Sequence, residues 1–346
     1  MGERLTEPSC HVPYLTPLTM SQFKVFVTRR LPIALDQLQQ IASFEVWTER
    51  QPPSYDILLE KIKTIDGLLC LLTDQIDRQL IEAGTSLKVI SQLAVGYDNI
   101  DIPATTARQI PVGHTPDVLT NATADFTWAL LMAAARRVVE ADRFTRAGQW
   151  QTWEPDLLLG SDITGTTLGI VGLGRIGQAV ARRAKGFEMQ ILYANKHRCN
   201  PELEQSLGVE FVTFDRLLQE SDFVTIHTPL TEDTFHLFGD RQFEQMKRSA
   251  ILINTARGSI VDQNALYRAL TSNQIAAAAL DVTDPEPIPT NSPLLTLENL
   301  IITPHIGSAS RQTREKMADM AIANLMAGLK GDRLPYCINP EVYQRS

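Results

Sequence analysis

Cysteine is scarce in this chain of 346 residues. Cys10, Cys70, Cys199 and Cys337 stand far apart, with no C-x-x-C pair among them. That spacing builds neither a disulfide framework nor a zinc site, and it suits a reducing, cytoplasmic compartment. Long apolar runs are also missing, so no segment is expected to span a membrane. Positive charge is not in excess: 32 Lys and Arg against 40 Asp and Glu leave a net charge of −8. A protein that tracks nucleic-acid phosphates needs a concentrated basic face, so no nucleic-acid partner is expected. Internal repeats and low-complexity segments are absent. What is present, 44% hydrophobic and 21% charged residues, is the composition of a packed protein, and the length suggests two domains.

The chain organises itself by alternation. Residues 1–20 carry Pro8, Pro13 and Pro17 with no apolar period, and read as a flexible extension without the marks of a secretory or transit peptide. Short apolar runs at 24–27, 67–72, 88–93 and 111–113 then alternate with helical patterns, which predicts parallel strands covered on both faces. A single long helix is expected over 122–147, N-capped by Thr120 or Asn121 and closed by Gly148, as a connector. Six further strands follow at 168–171, 190–193, 223–226, 251–254, 277–282 and 300–303, the pattern of a doubly wound Rossmann sheet. One amphipathic helix remains, over 312–329. It is too small for a third domain and is expected to return to the first, making that domain discontinuous: 21–117 with 306–346, around a dinucleotide-binding domain of 118–305.

The sharpest motif is Gly172-Leu-Gly174-Arg175-Ile176-Gly177. Gly-x-Gly-x-x-Gly alone is weak, but here it follows a predicted strand and opens a predicted helix, the context of a dinucleotide fingerprint. Gly172 permits the tight turn, Gly174 lets backbone approach a diphosphate, and Gly177 lets helix pack on strand. The fingerprint normally continues with an acid about twenty residues on, which holds the ribose 2′-hydroxyl. Here the second strand ends at Asn195, followed by Lys196, His197 and Arg198. Asn195 does not repel a 2′-phosphate and two cations could pair with one, so the expected cofactor is NADP(H), with NAD(H) as the alternative.

Three residues fall at or just beyond the carboxyl ends of later strands, where open α/β sheets bind ligands. Arg257 follows 251–254, Glu286 follows 277–282, and His305 follows 300–303. Together they suit carbonyl reduction: a guanidinium to hold a 2-keto acid, an imidazolium to give the proton as hydride arrives, and a carboxylate to orient and charge the imidazole. Taken singly, each has a bland alternative as an ion pair, a loop acid or a packed ring. His227 reads as a strand-end residue near the cofactor; His11, His114 and His236 read as structural or solvated.

On these residues the sequence resembles the D-isomer-specific 2-hydroxyacid dehydrogenases, and within them the glyoxylate/hydroxypyruvate reductases, from about Phe23 to Gly331. The stretches that carry the resemblance are Leu69-Cys-Leu-Leu72, Val95-Gly96, Val171-Gly-Leu-Gly-Arg-Ile-Gly-Gln178, Ala256-Arg-Gly258, Ala279-Leu-Asp-Val282, Pro285-Glu-Pro287 and Pro304-His-Ile-Gly-Ser308; Pro289-Thr-Asn291 with Pro293-Leu-Leu295 narrows it. The resemblance implies Arg257, Glu286 and His305 as catalytic residues and the Val95 and Gly96 amides as holders of the substrate carboxylate. It places Asp281 by nicotinamide and substrate, Ser308 beside the catalytic His, and Gly174, Arg175, Ile176, Pro229, Thr255 and Gly307 against the cofactor. It further implies a flavodoxin-like substrate domain built from both chain ends, a hinged cleft and a homodimer.

Two tryptophans three apart, Trp150 and Trp153, read first as packing. The reductase branch instead carries a Trp matching Trp153 that reaches into the partner's active site, where an indole would favour short substrates. The expected activity is NADPH-dependent reduction of glyoxylate and hydroxypyruvate to glycolate and D-glycerate, with no metal. The competing readings are a D-lactate or D-3-phosphoglycerate dehydrogenase, and a dinucleotide-sensing, corepressor-like protein that needs no turnover.

Overall fold

A computed structural model describes residues 23–344; the extension expected over residues 1–20 lies outside the described residues. These residues form two parallel sheets. In the first, β1 (Phe23–Val27), β2 (Ala42–Val46), β3 (Gly67–Cys70), β4 (Val89–Gln92) and β5 (Val112–Gly113) lie in the order β2-β1-β3-β4-β5, the flavodoxin-like order. The second holds β6 (Thr167–Val171), β7 (Gln190–Ala194), β8 (Val209–Phe211), β9 (Phe223–Ile226), β10 (Ile251–Asn254), β11 (Ala277–Leu280) and β12 (Leu300–Ile302). Its order, β12-β11-β10-β9-β6-β7-β8, reverses between β6 and β9. That reversal is the switch point of a Rossmann sheet, where the carboxyl strand ends open a crevice.

The central strands β3, β4, β9 and β10 are buried at every residue, as strands covered on both faces must be. Two strands were not expected, and both are edges. β2 alternates buried and accessible positions, and β8 has three residues. An edge strand needs no continuous apolar run, so the pattern that marks the inner strands does not mark these.

The helix Arg311–Lys330 packs on the first sheet. Ser91 Oγ donates to Ala321 O at 2.7 Å, Asn324 Nδ2 donates to His114 O, and Val112 N donates to Asn339 Oδ1 at 2.8 Å. Leu325 and Leu329 pack into the same core as Val25, Leu69 and Val89. Both ends of the chain therefore stabilise one sheet.

The connector is not one helix. Thr120–Ala135 ends, Arg137 takes a left-handed φ of 50°, and a second helix runs over Val138–Arg146. The break has a partner in the backbone: Ser161 N donates to Ala135 O at 2.8 Å, satisfying a helix-end carbonyl from outside. No helix among the described residues is long and apolar enough to cross a membrane. No group of three or more His, Cys, Asp or Glu among them could hold a metal.

Candidate active site

The glycine turn lies at the switch point. Gly172 follows β6 with φ of 99°, and a Cβ there would sit 2.7 Å from the His227 carbonyl carbon and Thr228 nitrogen, so only glycine fits between β6 and the loop after β9. The helix Arg175–Ala184 then starts at Gly174 with no side-chain cap, and nothing stands within 4 Å of where a Gly174 Cβ would be. Its first-turn N–H groups have no acceptor among the described residues, the condition for receiving a diphosphate. The residues present thus fit a dinucleotide. Ile176 packs between the two sheets' cores, and the Arg175 guanidinium pairs with Asp117 on the approach to the connector helix.

At the end of β7, the side chains are already engaged. Asn195 Oδ1 accepts from Leu173 N at 2.7 Å, which pins the glycine turn, and its Nδ2 donates to Cys199 Sγ. Lys196 pairs with Asp233 at 2.9 Å and Arg198 with Glu204 at 2.8 Å, while His197 is exposed. The basic cluster of the sequence is therefore countered by two acids, Glu204 six residues on and Asp233 on the loop after β9. Pro229 is exposed on the loop after β9, and Thr255 Oγ1 lies 3.0 Å from Thr127 Oγ1. His227 Nε2 is buried without a partner among the described residues, and burial holds its imidazole down to about 3, so the ring stays neutral.

Arg257, Glu286 and His305 follow β10, β11 and β12, three neighbouring strands, and share one end of the sheet. His305 Nδ1 lies 2.6 Å from Glu286 Oε1, and its backbone takes a left-handed φ of 53°. Because Glu286 occupies Nδ1, Nε2 is the nitrogen left for a reacting group. Asp281 builds this placement. Fully buried, it accepts from Thr303 Oγ1 (2.7 Å) and Ile306 N (2.8 Å) on one oxygen and from Gly307 N (2.7 Å) on the other. Through these bonds Asp281 ties down the loop that presents His305. Ser308, half-buried, continues that loop.

Arg257 reaches across to the first sheet. Its Nε donates to Asp98 Oδ1 at 3.0 Å and Oδ2 at 3.2 Å, and Nη1 donates to Ala256 O at 2.8 Å. A Cβ on Gly96 would fall 1.8 Å from Arg257 Nη2, so the Val95–Gly96 backbone can abut the guanidinium only because residue 96 is glycine. The turn is held from behind: Gln92 Nε2 donates to Gly96 O at 2.7 Å, and Val95 O lies 3.0 Å from His114 Nδ1. The Val95 and Gly96 amides donate to no acceptor among the described residues. Two such amides beside a guanidinium are a set of donors of the kind a carboxylate accepts from. Asp98 escaped the sequence reading because nothing local separates it from Asp101, which merely caps the helix Ile102–Ala107.

The packing expectation for the tryptophans fails. Trp150 and Trp153 are 60% and 79% exposed, on the segment after the Val138–Arg146 helix, and neither joins a core among the described residues.

Residues 128–307 match the family model described as D-isomer specific 2-hydroxyacid dehydrogenase, NAD binding domain. The chain is 52% identical over 321 residues to a glyoxylate reductase of Korarchaeum cryptofilum, covering 92% of this chain and 96% of that protein. It is 48% identical to a glyoxylate reductase of Thermococcus litoralis, covering 93% and 98%. Among solved structures, the TT0316 protein from Thermus thermophilus superposes with a TM-score of 0.86 at 47% identity, covering 91% of this chain and 99% of that one.

Proposed function

The chain belongs to the D-isomer specific 2-hydroxyacid dehydrogenase family, and from that premise we propose that it reduces glyoxylate and hydroxypyruvate to glycolate and D-glycerate with NADPH. Its curated relatives bear the name glyoxylate reductase, which supports a short 2-keto acid as substrate. The observation that carries the reading is the His305–Glu286 pair, with Nε2 open, at the same sheet end as Arg257 and its Gly96 neighbour.

In this mechanism the Val95 and Gly96 amides and Arg257 hold the substrate carboxylate, and the guanidinium also polarises the 2-keto oxygen. His305 Nε2 delivers a proton to that oxygen, and the Glu286 carboxylate keeps Nδ1–H directed and supports the imidazolium before transfer. A reduced nicotinamide bound here would supply the hydride. Gly172, Gly174 and Gly177 with the first turn of Arg175–Ala184 would hold its diphosphate; Pro229 and Thr255 line the approach. The remaining burden on the protein is to exclude water, which the meeting of the two sheets at Arg257 and Gly96 serves.

We divide the chain into a substrate domain, 21–117 with 306–346, and a dinucleotide domain, 118–305. We assign it to a reducing, cytoplasmic setting, which the free thiols of Cys70, Cys199 and Cys337 suit. We also assign it a homodimeric state, supported by the exposed indole of Trp153. A panel of glyoxylate, hydroxypyruvate, pyruvate and longer 2-keto acids against NADPH and NADH tests the reading. The two short acids with NADPH should give the highest kcat/KM. A preference for pyruvate or a branched keto acid would replace the substrate assignment.

A further inference from the structure

The two acids that meet the basic cluster act in opposite directions. Glu204, on the helix Pro201–Leu207, is buried. It accepts from Arg198 Nε at 2.9 Å and Nη2 at 2.8 Å, and from the hydroxyl of the fully buried Tyr193. The Arg198 guanidinium also lies 5.9 Å over the Phe211 ring. One edge and one face are thus fixed, and Nη1 has no partner among the described residues. Arg198 holds its carboxylate partner down to about 2, so Glu204 keeps its charge at every working pH. This is a preformed, half-used fork, the geometry that receives a phosphate without first losing side-chain entropy.

Asp233 does the reverse. It follows β9 while Lys196 follows β7, and β6 lies between them, so their ion pair passes across the end of the strand that delivers the glycine turn. Both side chains are exposed, at 73% and 77%. The Asp233 loop is set by its own hydrogen bonds, Thr231 N to Thr234 Oγ1 at 2.8 Å and Thr234 Oγ1 to Pro229 O at 2.7 Å. A carboxylate held there competes for Lys196 with any anion arriving at the ribose edge.

We propose that Glu204 and Asp233 are opposed specificity determinants for the adenosine ribose: Glu204 positions Arg198 for a 2′-phosphate, and Asp233 withholds Lys196 from it. The inference rests on the dinucleotide reading above and deepens it. Neither acid touches the reacting atoms, so the readout is binding rather than turnover: isothermal titration of the whole protein with NADPH and with NADH. Asp233→Asn should tighten NADPH by about two- to fivefold, the scale of an exposed ion pair, with NADH held constant. In a Lys196→Met background that gain should vanish, because it acts through the lysine. Glu204→Gln should weaken NADPH by about two- to tenfold and leave NADH unchanged.

An Asp233→Asn protein with unchanged NADPH affinity, or with both cofactors shifted alike, overturns the inference. So does a gain that survives Lys196→Met. Asp233 is a surface side chain, so this arm decides the matter even where Glu204→Gln fails to fold. Wild-type affinities that favour NADH would remove the NADPH preference proposed above, yet leave this inference standing if Asp233→Asn still tightens NADPH alone.

Discussion

Glu286 Oε1 stands 2.6 Å from His305 Nδ1, although the two residues follow different strands and nineteen positions separate them. The pair exists because Asp281, at the end of β11, grips the backbone of Ile306 and Gly307. One buried acid therefore sets the loop on which another acid meets the imidazole.

From this pair, Glu286→Gln should lower kcat for keto-acid reduction and leave the cofactor's dissociation constant unchanged, because the carboxylate that directs His305 Nδ1 is gone. His305→Ala should lose about two to four decades in kcat, the scale of a positioned general acid. Initial rates at saturating cofactor, with cofactor binding measured separately, check both; an unchanged kcat in Glu286→Gln would reduce Glu286 to a loop acid.

Asp281→Asn tests the holding role. Replacing the carboxylate leaves one fewer acceptor for the Ile306 and Gly307 amides, so the loop that presents His305 should loosen. The expected result is a fall in kcat larger than the rise in the cofactor's dissociation constant. Equal loss in both would make Asp281 a cofactor contact.

Trp153→Ala should change monomer stability by no more than about 0.5 kcal/mol, since the side chain is 79% exposed and leaves no cavity. In the dimer it should lower the ratio of glyoxylate to longer keto-acid turnover. Thermal melts, light scattering and paired kcat/KM values read these together. A large drop in stability with an unchanged ratio would return Trp153 to a packing role.

Glu204 gives a pH prediction with a definite sign. Its carboxyl is lowered from 4.5 to about 2, chiefly by its bonds to Arg198. A depressed acid stabilises the fold above its unfolded value, and that contribution fades as pH falls from about 4.5 towards 2. The melting-temperature advantage of wild type over Glu204→Gln should thus be full at pH 7 and shrink below pH 4.5. A gap that widens on acidification would contradict the pairing.

The inner strands, the glycine turn and the Arg, Glu and His at three strand ends were legible in the sequence. Each leaves a local mark: a continuous apolar run, a fixed spacing, or a polar residue just past a strand. The edge strands β2 and β8 leave no such mark, nor does the break at Arg137, whose outside partner Ser161 is far along the chain. Asp98, Glu204 and Asp233 were illegible for the same reason. Their partners Arg257, Arg198 and Lys196 are brought to them by sheet order or by a turn, and charge counted along the chain showed the cations without the acids that answer them. The tryptophans misled in the other direction: aromatic spacing suggests a core, and only the fold shows that no core is there.

The most direct measurement compares wild type with Arg257→Ala, following NADPH oxidation by glyoxylate at saturating cofactor, with NADPH binding measured separately. Wild type should consume NADPH and form glycolate in equal amounts. The variant should bind NADPH normally yet lose about 2–5 kcal/mol of transition-state stabilisation, on the order of one and a half to three and a half decades in kcat/KM. Near wild-type turnover by Arg257→Ala, or no glycolate from a wild-type protein that binds NADPH, would contradict the account.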